Sequence, residues 1–216
     1  MGAKENSGTR SSLVYEAIRV AKELMPKYII WENVKNLLSK RHKNVLDDYI
    51  DKLDKLGYVS YYQVLNSKDY GVPQSRERVF VVSIRKDIKK IFNFPKPEPL
   101  NLKVIDILQK TNIDDYYYKI CNSMMLAYTN KKVKDVTNDN YTHAVTTNQV
   151  RWNNAGLIRD AKGLRYFTAL ECWRLMGFDD SDYYKASTQC GRWQLYKLAG
   201  NSVVVNVIEK ILKELL

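Results

Sequence analysis

Residues 13–94 switch hydrophobic period repeatedly, from the 3.6 of a helix to the run of a buried strand and back. Leu13, Ala17, Val20 and Leu24 recur at helical spacing after Ser11-Ser12, with Pro26 where a helix must stop. Tyr28-Ile-Ile-Trp31 is an apolar run that breaks off in Glu32-Asn33, as a buried parallel strand does where it reaches a site. Leu46, Ile50 and Leu53 write a second helix closed by Gly57. Tyr58–Leu65 and Val79–Ile84 read as further strands. The rhythm predicts an α/β sheet with crossover helices, whose ligands gather at the carboxyl ends of the strands.

Other classes fall away on composition. With 216 residues, 45% hydrophobic, 9 Gly and 5 Pro, the chain has enough apolar surface for a packed core, and collagen-like or low-complexity structure is set aside. No stretch reaches the roughly 20 apolar residues that span a bilayer, and the first residues lack a signal-peptide core, so a cytoplasmic protein with no membrane partner is expected. Cys121, Cys172 and Cys190 are scattered, and His42 and His143 stand apart, so neither a disulfide framework nor a metal site is expected. The 35 Lys+Arg against 24 Asp+Glu leave +11, which favours a polyanionic partner. That excess is uneven: 18 − 11 = +7 for residues 1–94, 10 − 7 = +3 for 95–163, and 7 − 6 = +1 for 164–216.

From Pro95 the periodicity dissolves through Asn93-Phe-Pro-Lys-Pro-Glu-Pro99 into Asn, Asp, Tyr and Lys, the signature of a linker into a smaller lobe. Regular structure resumes at the capping box Thr168-Ala-Leu-Glu171. A last amphipathic helix carries Val204, Ile208, Ile211 and Leu215, with Asn201 or Ser202 as its cap. Gln74, Arg76 and Arg78 alternate, so on an extended strand they share one face. A salt-bridged strand with Glu77 is the plainer reading of that pattern.

Trp31-Glu32-Asn33-Val34, Asp69 to Val79, Arg165 to Phe178 and Gly200-Asn-Ser-Val-Val204, in that order, resemble the later signature blocks of DNA cytosine-5 methyltransferases. The resemblance implies a partial Rossmann-like, S-adenosylmethionine-dependent methyltransferase domain plus a small target-recognition lobe. Residues 1–94 would form the second half of the catalytic α/β domain, 95–163 the lobe, and 164–216 a segment returning to the catalytic domain. It implies that Glu32 delivers a proton or strong hydrogen bond to cytosine N3, with Asn33 shaping the turn beside the DNA; helix capping by Glu32 is the alternative. Arg76 and Arg78 would hold the everted base and support the catalytic loop, with Gln74 beside them at the DNA. Asn201 and Ser202 would lie against S-adenosylmethionine, and capping can coexist with that contact.

Within the expected lobe, Asn148, Gln149, Arg151, Asn153 and Asn154 have side chains of the type that bond base edges, and Thr146 or Thr147 suits a thymine methyl or the backbone. An ordinary polar loop is the alternative for each. Tyr116-Tyr-Tyr118 reads as lobe core, and Arg165 as a possible phosphate contact in an otherwise architectural block. The family's attacking cysteine, which follows a proline upstream of Glu32, has no counterpart here, and no two glycines are spaced G-x-G as in its cofactor turn. Gly2 to Leu13 resembles the stretch directly after the nucleophile loop. The expected partners are therefore double-stranded DNA and a second polypeptide carrying the N-terminal catalytic half, without which the chain would be inactive. The alternatives are a fragment of a gene interrupted upstream and a catalytically inactive DNA-binding remnant.

Overall fold

The structure, a computed structural model, describes residues 13–151 and 154–216. The stretch from Gly2 to Ser12 and the candidate Asn153 lie outside the described residues. The chain divides into two compact units: residues up to Leu65 with Glu77–Pro95, and Asn66–Arg76 with Lys96–Glu214. Residues 96–163 and 164–214 thus fall in the same unit.

In the first unit, α1 (Leu13–Leu24) precedes β1 (Tyr28–Val34), a 3₁₀ turn (Lys35–Leu38), α2 (Lys43–Lys55), β2 (Tyr58–Asn66) and β3 (Glu77–Arg85). The buried stripe of α1 is Val14 and Ala21, with Ile18 and Met25 packed beside them. The expected stripe of Ala17, Val20 and Leu24 instead faces solvent, with Leu24 73% exposed. Both stripes are apolar at helical spacing, so periodicity alone cannot choose between them. In α2, Leu46, Tyr49 and Leu53 are fully buried against Trp31, Val79 and Val81, each aliphatic side chain worth about 1.5–3 kcal/mol. Gly57, at φ +88°, turns the chain out of α2 in a conformation that a side chain would strain.

The strand order is β1-β3-β2. β1 and β2 are joined through α2, as the crossover reading expected. β3 then inserts between them and runs antiparallel to β1, in register from Tyr28↔Ile84 to Val34↔Arg78. This corrects the expectation of parallel strands. The connection 67–76 holds only a 3₁₀ turn (Ser67–Tyr70), and a parallel return needs about a dozen residues or more. Ser60 Oγ and Ser83 Oγ, 2.7 Å apart, tie the start of β2 to the end of β3.

The second unit carries α3 (Asn122–Thr129), the antiparallel hairpin β4 (Leu157–Asp160) and β5 (Gly163–Tyr166), then α4 (Ala169–Leu175), α5 (Asp180–Ser187), α6 (Arg192–Asn201) and α7 (Val205–Leu215). Its core includes Phe167, Cys172, Leu175, Tyr196, Ala199 and Ile211. The capping box forms as expected: the Thr168 hydroxyl accepts from the Glu171 N–H at 3.1 Å and the Glu171 carboxylate from the Thr168 N–H at 2.8 Å. The last helix corrects the sequence reading. Its N-cap is Val204, with no side-chain bond, whereas Asn201 ends α6 and Ser202 is the C-cap of that helix. Tyr117 is buried in this unit, consistent with a core role for the tyrosine run.

Candidate active-site residues and their supports

Glu32 lies near the C-terminal end of β1, opposite Phe80, while Arg78 lies opposite Val34. Diagonal neighbours on one face of an antiparallel pair come within reach of long side chains. Arg78 Nε sits 2.9 Å from Glu32 Oε1, with side-chain exposures of 20% and 22%. Ile29, Trp31, Val79 and Val81 occupy the other face, packed on the helices. A half-buried carboxylate and guanidinium thus share the face turned away from the α1–α2 core. The Glu77 carboxylate is paired at 2.9 Å with Lys35, in the 3₁₀ turn that follows β1. The Asn33 carboxamide accepts the Val34 N–H at 2.8 Å and so shapes the strand's exit.

In the second unit, Gln74 and Arg76 are buried. Gln74 Nε2 donates to the Leu175 carbonyl at 2.7 Å, and its Oε1 accepts the Val145 N–H at 2.8 Å. Arg76 donates to the carbonyls of Val145, Gly200 and Ser202 at 2.9, 3.1 and 3.2 Å. The two side chains therefore grip both polar groups of one peptide residue, Val145, and hold the GNS segment as well. The sequence leaves open which arginine does which; here Arg78 meets the Glu32 carboxylate, whereas Arg76 serves backbone carbonyls. Gln74, expected at the DNA, is enclosed by its two partners.

Arg165 is likewise corrected. Its side chain is fully buried, with NH1 and NH2 each 2.9 Å from the Glu171 carboxylate and Nε 2.8 Å from Asp160. With no part of the side chain at the surface, the guanidinium is not presented to a phosphate. Burial works against the charge of Arg165, and the Glu171 and Asp160 carboxylates more than offset it, so its pKa is raised. Gln149, expected to read a base, is also buried, donating to the Thr146 carbonyl at 2.9 Å and accepting from Ala155 N–H at 3.2 Å. Asn154 donates to the Gln149 carbonyl at 2.6 Å, and Asn148 accepts from the Val150 N–H at 3.0 Å. Three candidate base readers thus stitch their own loop. Thr147 and Arg151 remain exposed.

Asn201 is exposed on the rim of an open groove of about 490 Å³, with Trp193, Gln194, Lys197 and Leu198. The Ser202 hydroxyl donates back to the Ala199 carbonyl at 2.8 Å. None of the three cysteines lies in the unit that holds Glu32. Cys172 is buried, which pushes its thiol well above the ordinary range; Cys121 is exposed, and hydrogen bonds from Ser123 and Tyr166 lower it. Among the described residues no cluster of His, Cys, Asp and Glu could hold a metal ion, and no helix is long and apolar enough to cross a membrane.

A family model described as C-5 cytosine-specific DNA methylase matches residues 2–216. The Type II methyltransferase M2.ScrFI of Lactococcus lactis subsp. cremoris is 36% identical, the match spanning 99% of this chain and 61% of that protein. M.Bsp6I of Bacillus sp. is 32% identical over 96% of this chain and 70% of its own length. The chain thus spans about three fifths of the first of these relatives. Among solved structures, a mutant of Spodoptera frugiperda DNMT2 superposes with a TM-score of 0.80 at 22% identity, over 98% of this chain and 73% of that one. S. pombe Dnmt2 gives 0.73 at 20% identity, over 100% and 75%. These likenesses show an α/β methyltransferase fold.

Proposed function

The chain belongs to the C-5 cytosine-specific DNA methylase family, and on that premise we propose that it supplies the base-activating part of a DNA (cytosine-5-)-methyltransferase. The carrying observation is the pairing of Glu32 with Arg78 at 2.9 Å on one face of the sheet. Attack at cytosine C6 needs electron density withdrawn through N3, which a half-buried carboxyl group can do by a proton or strong hydrogen bond. A guanidinium beside it donates to O2 and keeps the ring in register. The target base must leave the duplex to reach these groups. Arg76 and Gln74 act as positioning residues, fixing the backbone at Val145 and Gly200.

S-adenosylmethionine is the family's donor, and when bound it supplies the methyl group. Asn201 fits a polar contact to it, since its exposed carboxamide adjoins the aromatic and apolar rim of the Trp193–Leu198 groove. Ser202 fits less well, its hydroxyl proton being committed to Ala199. The attacking cysteine and the glycine-rich turn are provided, on this reading, by polypeptide outside this sequence. Duplex DNA is the substrate, with the exposed Thr147 and Arg151 as its contacts in the second unit.

Glu32→Gln tests the assignment. Assayed with a polypeptide that carries the missing cysteine, turnover is expected to fall by about 10²–10⁴ while DNA affinity stays within about threefold. Undiminished turnover in the variant would remove Glu32 from the chemistry. DNA binding with no turnover from any combination would favour the inactive remnant.

A further inference from the structure

We infer that Lys40, Arg41 and Lys43 form a phosphate-binding surface for the DNA strand around the target cytosine. The inference rests on the methyltransferase reading and extends it to residues that no signature block includes. Lys40-Arg41-His42-Lys43 is a run of consecutive cationic and imidazole side chains. It forms an ordered turn: the Ser39 carbonyl accepts the His42 and Lys43 N–H groups at 2.9 Å each, and the His42 carbonyl accepts from Val45 at 3.0 Å. Buried Leu37 and Leu46 anchor it on either side.

Most cations of this unit are paired, and its other exposed cations without an ion pair among the described residues, Lys22, Lys27 and Lys89, are spread along the chain, whereas Lys40, Arg41 and Lys43 stand together on one turn. Arg19, Lys35, Lys52, Lys55, Arg85 and Lys86 each face a carboxylate between 2.6 and 2.9 Å away. Among the described residues, Lys40, Arg41 and Lys43 have no ion pair, although all three are exposed. The first turn of α2 contains no acidic residue; further along, Asp48, Asp51 and Asp54 are engaged by Lys52, Lys55 and Lys86, which leaves Asp47, one turn on from Lys43, as the single nearby acid of the helix against three cations. A compact uncompensated cation cluster raises the local potential and suits a polyanion whose charges are closely spaced. Exposed Lys and Arg on a turn are suited to backbone phosphates more than to base edges.

Location gives the cluster its role. Lys40 follows Glu32 by two strand residues, a 3₁₀ turn and two further residues, a separation of at most about 20 Å. An everted base stays tethered to its own strand, so the phosphates flanking it lie within such reach of Glu32. The cluster would hold that strand while the base occupies the Glu32–Arg78 pair.

The test is the salt dependence of duplex binding by the full chain, measured with a labelled mixed-sequence duplex between about 50 and 200 mM salt. Each phosphate contact contributes about 0.9 to the slope of log affinity against log salt. Replacing Lys40, Arg41 and Lys43 together by Gln is expected to make the slope shallower by about 2–3. The control replaces Lys52, Lys55 and Lys86 by Gln, which removes equal charge from positions already paired, and is expected to change the slope by less than about 1. Thermal melts of both variants establish that they fold like the parent. An unchanged slope in the first variant, or an equal change in the control, would overturn the inference and leave the enzyme reading standing. Absence of any salt-dependent duplex binding by the unaltered chain would overturn both.

Discussion

Arg165 and Glu171 show how a single pair can decide whether this sequence folds. Both side chains are fully buried, and the carboxylate takes two guanidinium bonds, the Thr168 N–H and the Gln109 N–H. Removing one partner strands the other charge, so Arg165→Met should cost about 3–5 kcal/mol in urea unfolding. A loss below about 1 kcal/mol would contradict this role. The same cluster sets an acid limit. Burial raises the Asp160 carboxyl, but hydrogen bonds from Arg165 and Tyr118 outweigh it and hold the group below its ordinary range. A depressed folded pKa gives stability that is whole above the unfolded value near pH 4 and is lost as pH falls through the folded value. Stability should therefore be flat in this respect above about pH 5 and decline below about pH 4, less steeply in Arg165→Met. Sequence reading found the capping role of Glu171, because Thr-x-x-Glu has fixed spacing, but put Arg165 at a phosphate. Charge and residue type carry no information about burial. The cue was present in Glu171, an acid six residues on in a block read as core.

At the level of elements, the end of α6 carries the clearest consequence. A methyl group on Gly200 would stand 2.4 Å from the Thr147 nitrogen and 2.5 Å from the Thr146 carbonyl carbon. Backbone meets backbone there, so no side-chain rotation relieves it. Gly200→Ala is expected to destabilise the protein by about 3 kcal/mol, and a thermal melt unchanged from the parent would refute the close approach. This glycine marks packing of α6 on the 146–147 segment, whereas the sequence reading saw a turn opening the next helix. Asn and Ser are good N-caps, and nothing local distinguishes an N-cap from the C-terminal end of a preceding helix. The sense of β3 was more legible than the reading made it, since ten residues between two strands argue for a hairpin. For α1, two apolar stripes one residue apart left the choice to tertiary packing.

For the molecule as a whole, ordered motif blocks carried more information than composition did. The blocks led to the family, and the α/β class followed from the alternation of periods. What stayed hidden was which polar side chains are consumed internally: Gln74, Arg76, Gln149 and Arg165 all look like DNA ligands by type, and all are buried on backbone or carboxylate partners. The positive excess of residues 1–94 also became specific only once ion pairs showed which cations are already compensated. The central claim, that this chain's Glu32–Arg78 face activates an everted cytosine, is tested most directly by product analysis. Duplex DNA is incubated with methyl-labelled S-adenosylmethionine, this chain and a polypeptide bearing the attacking cysteine and glycine-rich turn, and is then digested to nucleosides. The account predicts label in 5-methylcytosine that requires this chain and is lost with Glu32→Gln. Label on another position, or equal label when this chain is left out, would contradict it.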